Sequence, residues 1–289
     1  MQNANKKRTL EELTIKDNFM FGAVMVDEDN CKHFLEMVLG FEIESLVVSK
    51  EKSIVYHPEY KGVRLDVFAK DENRTRYNVE MQAFIRKSLG KRARYYHSQI
   101  DMELLAVGHE YEDMPNTYVI FICDFDPFGK GKYRYTFRNC CLETKVLELA
   151  DGCESIFLST KGENDNEVPR ELVKFLQYVG SDLETSTYDY GDEYVRKLQN
   201  SVRQVKKSRE MKERFMIWRE MLSDERNEGR KEGRVEVGIE TIFMLLESLG
   251  NIPEKLRERI MKEQDNNVLK QWIMLAAKSE TIEEFIEKM

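Results

Sequence analysis

The sequence predicts an α/β layered domain followed by an all-helical region. Two observations predict the layered domain: strand-like segments have helical segments between them, and "TYVIFICDF" is an almost continuous apolar run, as in a strand covered on both faces. A third observation predicts the helical region, because every pattern beyond about Glu193 has helical periodicity. We therefore expect one domain at residues 1–180 and a helical region at 181–289, which opens with a linker at about 181–193.

The layered domain begins with one or two helices. From Lys16 to Gly40, apolar residues recur at helical spacing, and the glycine is suited to a helix C-terminus. Strands follow at "ESLVVSKE", "VRLDVFAKD" and "YNVEMQAF", and a long helical stretch runs from about Lys87 to Glu112. Three further strands, at "TYVIFICDF", "YRYTFRNCC" and "SIFLST", precede a closing helix around "EVPRELVKFLQYV". This order indicates a sheet with helices on its faces.

The helical region opens with the acidic, polar segment "SDLETSTYDYGDE", which is typical of a linker. Farther on, "DERNEGRKEGRVEVG" repeats a Glu-Gly pair at an interval of four residues. Two interpretations stay open: a solvated helix or hinge, and a close crossing of two helices through the small residues. The remaining segments alternate apolar and charged positions, which indicates a small helical bundle, and we expect a homo-oligomer formed through this region.

Composition narrows the classes of protein. The net charge of −8 argues against a general polyanion binder, so any contact with nucleic acid must come from locally clustered basic residues. The five cysteines form no Cys-x-x-Cys pair, and neither they nor the four histidines show the spacing of metal ligands. The N-terminus lacks the apolar run of a signal peptide, and no stretch approaches the roughly 20 apolar residues of a membrane span. We expect a reduced, cytoplasmic protein without membrane contact.

A hairpin is predicted at "RLDVFAKDENRTRYNVEMQ". With a turn centred on Asn73, directly opposed residues have numbers that sum to 146. One face of the hairpin then pairs Leu65 with Met81, Val67 with Val79 and Ala69 with Tyr77. All three pairs are apolar, which supports this register because a slip by one residue would break it. The opposite face places Asp66 across from Glu80 and Arg64 across from Gln82.

Asp66 and Glu80 are the candidate metal ligands. Opposed residues have Cβ atoms roughly 4.5–5.5 Å apart, and two carboxylates that close repel each other unless a positive group lies between them. Hard oxygen ligands in this arrangement suit Mg²⁺, which binds through one or two carboxylates together with water and substrate phosphate oxygens. The alternative is a solvated face on which the two acids pair with Arg64 or Arg76.

A basic, aromatic-flanked helix is predicted directly after Gln82, in "FIRKSLGKRARYYHSQIDMELL". Before the first acid, Asp101, its first turns hold Arg86, Lys87, Lys91, Arg92 and Arg94, with Tyr95 and Tyr96 after them. Because the helix leaves the strand that carries the acids, it would place phosphate contacts beside the metal. The alternative, which is partly compatible, is a solvated amphipathic helix with an inward face of Leu89, Ala93, Tyr96, Ile100 and Leu104.

Together these residues resemble a known family. Asp66, then Glu80-x-Gln82 fourteen residues on, then a basic helix with Arg-Tyr-Tyr, is similar to the PD-(D/E)XK nuclease superfamily, in particular its Rpn branch of recombination-promoting nucleases and transposase-like proteins. "IKDNFMFGAVM" is similar to that branch's N-terminal Asp-x-x-Phe signature. The resemblance covers about residues 10–180, and the helical tail more loosely. It implies a restriction-endonuclease-like core, with a central mixed sheet flanked by helices.

The resemblance also implies a function, a metal-dependent DNA endonuclease linked to recombination or mobile-element DNA. It implies that Mg²⁺, with Mn²⁺ as a substitute, is held by Asp66, Glu80 and the backbone carbonyl of Met81. Gln82 stands where the superfamily's usual motif has lysine, so it can position the attacking water but is a poor base. Asp17 is either a further acid of the site or a helix cap. The residues expected to face the DNA are Arg86, Lys87, Lys91, Arg92, Arg94 and Tyr95.

Two other classes of function stay open. The absent lysine also suits a non-catalytic nucleic-acid-binding or assembly module that keeps the nuclease fold. Such a module would still bind nucleic acid after the loss of both acids. If the hairpin acids are structural, the protein is instead a helical-tail adaptor, which would bind neither magnesium nor DNA.

Overall fold

A mixed six-stranded sheet is built from the alternating segments of the first part of the chain. The computed structural model describes residues 8–54, 63–104, 110–144 and 146–289, with the backbone alone at 50–54, 63–65 and 225. Within them the strands are β1 (Leu46–Ile54), β2 (Val63–Asp71), β3 (Arg76–Gln82), β4 (Thr117–Cys123), β5 (Arg134–Phe137) and β6 (Cys153–Ser159). Their order in the sheet is β1-β2-β3-β4-β6-β5, which confirms the predicted α/β class.

Parallel strands occupy the middle of the sheet and antiparallel strands its two sides. Strand β4 pairs in parallel with β3 and β6. The pairs β1–β2, β2–β3 and β5–β6 are antiparallel. Every residue from Val119 to Cys123 in β4 is fully buried, as its apolar run predicts for a strand covered on both faces.

Five helices accompany the sheet within the described residues: α1 (Asn18–Met25), α2 (Glu28–Leu39), α3 (Leu89–Leu104), α4 (Arg170–Val179) and α5 (Glu193–Lys207). Helix α2 begins after Asp27, whose carboxylate accepts a hydrogen bond from the Asn30 amide. It ends at Gly40, whose φ of 80° favours glycine. The predicted N-terminal helices are therefore confirmed. Helix α3 is described to Leu104, and its predicted continuation at 105–109 lies outside the described residues.

Helix α3 begins later than predicted. The prediction of a helix directly after Gln82, with Arg86 and Lys87 in its first turns, is wrong because the helix starts at Leu89. Ser88 has a φ of 65°, a left-handed conformation that cannot belong to a right-handed helix. Arg86 and Lys87 therefore lie in an exposed loop between β3 and α3.

The chain divides into two compact units, Met1–Lys212 and Glu213–Met289. The first includes α5, where the Tyr194 hydroxyl donates a 2.8 Å hydrogen bond to the Asn30 carbonyl in α2. Helix α6 (Arg209–Glu247) spans the division and is followed by α7 (Glu254–Lys262), α8 (Asn266–Ala276) and α9 (Ile282–Lys288). The core of the second unit draws on all four helices, with Ile242, Leu246, Leu256, Ile260, Trp272 and Phe285 among its buried residues. The predicted domain boundary after residue 180 stays a proposal.

The Glu-Gly repeat lies within α6. Apart from neighbouring backbone of the same helix, nothing lies within 4 Å of the position that a Cβ would take at Gly229 or Gly233. Among the described residues, the repeat therefore forms no close helix crossing within one chain. Across all the residues that the structure describes, no helix is both long enough and apolar enough to cross a membrane.

Candidate active site

The hairpin of β2 and β3 has the predicted register. The described ladder pairs Val67 with Val79, Phe68 with Asn78, Ala69 with Tyr77 and Lys70 with Arg76, so opposed residue numbers sum to 146. The apolar pairs of this ladder are buried, which is the condition that fixes a hairpin register. The side chain of Arg64 lies outside the described residues, so its predicted position opposite Gln82 stays a prediction.

The carboxylates of Asp66 and Glu80 lie where this ladder ends. The Asp66 amide donates a hydrogen bond to Glu80 Oε1 at 3.2 Å, and the Met81 amide donates to Asp66 Oδ2 at 3.2 Å. Each carboxylate therefore binds the backbone of the opposite strand. Asn18 Nδ2, at the start of α1, donates to Asp66 Oδ2 at 3.4 Å. Three elements, α1, β2 and β3, thus converge on the two acids.

Glu80 is a buried acid with a second acid beside it. Its exposed fraction is 2%. Oε1 accepts a hydrogen bond from Asn78 Nδ2 at 3.3 Å, and Oε2 accepts one from the Tyr96 hydroxyl at 3.5 Å. Burial raises the pKa of Glu80 well above its usual range, and the charge of Asp66 raises it further, whereas Arg92 lowers it. A cation placed between the two acids would relieve this cost.

Gln82 and Arg92 complete the polar cluster around Glu80. The Gln82 side chain, 5% exposed, donates from Nε2 to the Met81 carbonyl at 3.0 Å. Its Oε1 accepts a 2.9 Å hydrogen bond from Arg92 Nη1. Arg92 Nη2 donates to the Tyr96 hydroxyl at 2.6 Å and lies 3.5 Å from Glu80 Oε2. The guanidinium therefore links helix α3 to both polar side chains at the end of β3.

Packing of α3 against the sheet explains why Arg92 points to the acids. The helix buries Leu89, Ala93, Tyr96 and Ile100 against Phe68, Val119, Phe121 and Phe157, with Leu104 packed at the edge. This confirms the predicted inward face. Arg92 lies three residues after Leu89 and four before Tyr96, so it shares their side of the helix.

The other predicted DNA-contacting residues lie outside this cluster. Arg86, Lys87, Lys91 and Arg94 are exposed, and Tyr95 is partly buried against the core under α3. The loop that holds Arg86 and Lys87 also carries Phe84 and Ile85, each 80% exposed. The loop residues and the outer face of α3 are therefore exposed, whereas Arg92 is partly buried and contacts Gln82, Tyr96 and Glu80.

Asp17 occupies the N-cap position of α1, but its carboxylate binds elsewhere. It accepts hydrogen bonds from the Thr14 amide at 2.8 Å and from Arg8 at 2.6 and 3.0 Å, and it makes no side-chain capping bond to the first turn. Its neighbour Asn18 is the residue of this segment that contacts Asp66. The role of Asp17 as a further acid stays a prediction.

The donor set fits a hard divalent cation. Asp66 and Glu80 supply carboxylate oxygens, and the Met81 carbonyl has a second lone pair beside the one that binds Gln82. Among the described residues, no group of three or more His, Cys, Asp or Glu side chains is placed to hold a metal. Mg²⁺ needs only one or two carboxylates because it keeps several of its waters, so the pair of acids is sufficient for that ion.

Three features of the site were not predicted from the sequence: Asn18, Asn78 and the hydrogen bonds that the Tyr96 hydroxyl makes with Arg92 and Glu80. Asn78 could have been found, because Asn78, Glu80 and Gln82 alternate along β3 and so share one face. The four-residue spacing of Arg92 and Tyr96 is also visible in the sequence. The contact of Asn18 with Asp66 depends on how α1 packs, which no local pattern encodes.

Comparison with known proteins identifies the family of the chain. Searches of curated proteins and of solved structures found no match. A family model for PD-(D/E)XK nuclease family transposases matches residues 16–232, which is more than half of the chain and includes both acids and helix α3. PD-(D/E)XK nucleases typically use divalent metal ions. The chain thus belongs to the PD-(D/E)XK nuclease family transposases.

Proposed function

We propose that the protein is a metal-dependent endonuclease that hydrolyses phosphodiester bonds of DNA. The observation that carries this proposal is the buried Glu80 beside Asp66 at the end of the hairpin, since two acids held this close are costly without a cation. Membership of a nuclease and transposase family supports DNA as the substrate and a role in recombination or in the movement of mobile elements.

Asp66, Glu80 and the Met81 carbonyl would hold Mg²⁺, with Mn²⁺ as a substitute. When bound, the ion lowers the pKa of water and neutralises charge on the phosphate. Gln82 uses one N–H to bind the Met81 carbonyl and one lone pair to bind Arg92. One N–H and one lone pair of its amide remain for the attacking water, which Gln82 therefore orients without acting as its base.

The proposed reaction consumes one water per bond cut. The water oxygen forms a bond to phosphorus while the bond to the 3′ oxygen breaks, and the 3′ oxygen leaves with the electron pair. The attacking water loses a proton to solvent and the leaving oxygen gains one, which gives a 5′ phosphate and a 3′ hydroxyl. Exposed Arg86, Lys87, Lys91 and Arg94, with Tyr95, would hold the DNA backbone and confer little sequence preference by themselves.

The test is cleavage of supercoiled plasmid by the purified chain with Mg²⁺ or Mn²⁺. The Asp66→Ala and Glu80→Ala variants and an EDTA control are run beside it. We expect nicked or linear plasmid that requires metal and disappears in both variants. Equal inactivity of wild type and variants, together with equal binding of DNA, would reject the enzyme and favour the non-catalytic module, which the neutral Gln82 keeps as the second candidate.

We further propose that residues 181–289, the helical region beyond the nuclease-like domain at 1–180, mediate self-association. Cutting both strands of a duplex at one locus is easiest with two active sites. Met216, Ile217 and Met221 on α6 are each more than half exposed, which suits contact with a second copy. Sedimentation equilibrium of the chain and of a Met221→Glu variant tests this: we expect a dimer or larger assembly that the variant weakens, and a monomeric wild type would contradict it.

A further inference from the structure

We infer that Arg92 is a catalytic residue that supplies, from helix α3, the positive charge that Gln82 does not supply from strand β3. This inference rests on the proposed nuclease function. Arg92 would contact the phosphate that is cut. The sequence had suggested only a general contact with the DNA backbone. Negative charge grows on the phosphate oxygens during hydrolysis, and preorganised donors at that position are a large source of catalysis.

The contacts of Arg92 leave it able to bind a phosphate. The guanidinium has five N–H donors, and Nη1 binds Gln82 while Nη2 faces Tyr96 and Glu80. Among the described residues, its remaining N–H groups have no hydrogen-bond partner, so they can meet an oxygen of the substrate. Its side chain is 26% exposed, whereas that of Glu80 is 3% exposed. A phosphate that approaches the acids can therefore reach the guanidinium.

Packing fixes the guanidinium in this position. Its central carbon lies 5.4 Å from the centre of the Tyr96 ring and 5.6 Å from that of Phe121, distances at which a cation is attracted to an aromatic ring. Because the side chain is already held, little reorganisation is needed when the charge on the phosphate develops. No bond to Arg92 forms or breaks.

Arg94 is the matched control on the same helix. It is exposed and lies outside the cluster around Glu80. Its substitution should therefore affect how tightly DNA binds, because exposed cations contribute through phosphate contacts that are independent of the chemistry. Comparing the two arginines separates a catalytic charge from a charge that only holds the substrate.

The experiment uses the full chain as wild type, R92Q, Q82K, the Q82K/R92Q double variant and R94Q. Cleavage of duplex DNA at saturating protein with Mn²⁺ gives the rate of the chemical step. DNA affinity with Ca²⁺ and Mn²⁺ affinity without DNA, by calorimetry, are readouts independent of turnover. We expect R92Q to lower the rate about a hundredfold, with DNA affinity changed less than about threefold and Mn²⁺ affinity unchanged or higher, because a cation beside Glu80 is removed.

Rescue decides the outcome. The double variant should cleave at least about tenfold faster than R92Q, because a lysine at position 82 returns a cation to Glu80. R94Q should weaken DNA binding and lower the rate far less than R92Q does. If R92Q fails to fold, the double variant is compared with wild type, and a folded, metal-binding double variant without cleavage overturns the inference. A wild type that cleaves no DNA rejects the proposed function and the inference with it. Wild type and R92Q cleaving equally fast rejects the inference alone.

Discussion

Helix α3 covers two buried polar clusters, and they differ in how they treat charge. Its first half carries Arg92, which lies beside Glu80, and a second acid, Asp66, contacts Glu80. Its second half carries His97, 8% exposed, between the hydroxyls of Thr117 and Ser155. The same helix therefore packs over a charged cluster and a neutral one.

The histidine cluster has the properties of a structural feature. Nδ1 of His97 is 2.8 Å from Thr117 Oγ1, and Nε2 is 3.1 Å from Ser155 Oγ, so both ring nitrogens are hydrogen-bonded. Burial lowers the pKa of His97 to about 4, which keeps the ring neutral at physiological pH. A buried polar group that is neutral and fully hydrogen-bonded stabilises the fold, and it has no donor or acceptor left to bind a substrate.

The acid cluster has the opposite property. Glu80 is more deeply buried than His97, yet its strongest neighbours include another acid, and that arrangement costs stability at neutral pH. Costs of this kind persist where a site needs them for function. A buried acid with a second acid beside it therefore indicates a functional site, whereas burial of a polar residue alone does not.

The largest expected effect contrasts the two clusters by cleavage rate. Glu80→Gln should lower metal-dependent cleavage by about a thousandfold or more, because a metal ligand is lost. His97→Gln, which preserves a neutral side chain under the same helix, should change it by less than about threefold. The comparison fails if the two substitutions reduce plasmid cleavage to a similar extent while both variants remain folded.

The next effect is on stability at low pH. The folded-state pKa of His97 is below its unfolded value of about 6.5. The contribution of the neutral ring is therefore complete above pH 6.5 and is lost as the pH falls towards 4, by roughly 2–3 kcal/mol. His97→Gln should lose correspondingly less free energy of unfolding between pH 7 and pH 4.5.

The measurement for this effect must report on the first unit. Both tryptophans, Trp218 and Trp272, lie in the second unit, so their fluorescence does not follow it. Hydrogen exchange of the amides of Val119–Cys123 in β4 does report on the first unit, because all five residues are buried and Val119, Phe121 and Cys123 pack against α3. Identical pH dependence in wild type and variant would show that His97 is not the responsible group.

The smallest expected effect concerns the stability cost of the acids. Glu80→Gln keeps the shape of the side chain but removes an acid whose ionisation is opposed by burial and by Asp66. We expect the free energy of unfolding of the first unit to rise by about 1–2 kcal/mol at pH 7 without metal. The same amide exchange measures it. A loss of stability would mean that the contact between Glu80 and Arg92 outweighs the cost of burying Glu80 beside Asp66.

Local patterns predicted much of the fold and the centre of the site. The hairpin register followed from apolar alternation and one turn, because a slip would have exposed Val67 and Val79. That register alone brought Asp66 to Glu80. The buried β4 and the inward face of α3 followed in the same way, from continuous and 3.6-residue patterns.

What failed depended on backbone conformation and on contacts between distant elements. The start of α3 was predicted too early because no residue in "FIRKS" predicts the left-handed φ of Ser88. Arg92 was grouped with the exposed cations because the packing of α3 on the sheet directs its side chain to Gln82, and this packing is not visible in the local sequence. Asn18 reaches Asp66 across 48 positions of sequence. The sequence therefore located the acids better than the groups that surround them.

Calorimetry of Mn²⁺ binding to the DNA-free chain tests the metal site without any knowledge of the substrate. It compares wild type with Asp66→Asn, Glu80→Gln and His97→Gln. We predict a bound ion in wild type and His97→Gln, and an affinity at least about tenfold weaker in each acid variant. Equal binding by all four proteins, or none by wild type, would contradict the claim that Asp66 and Glu80 form a metal site.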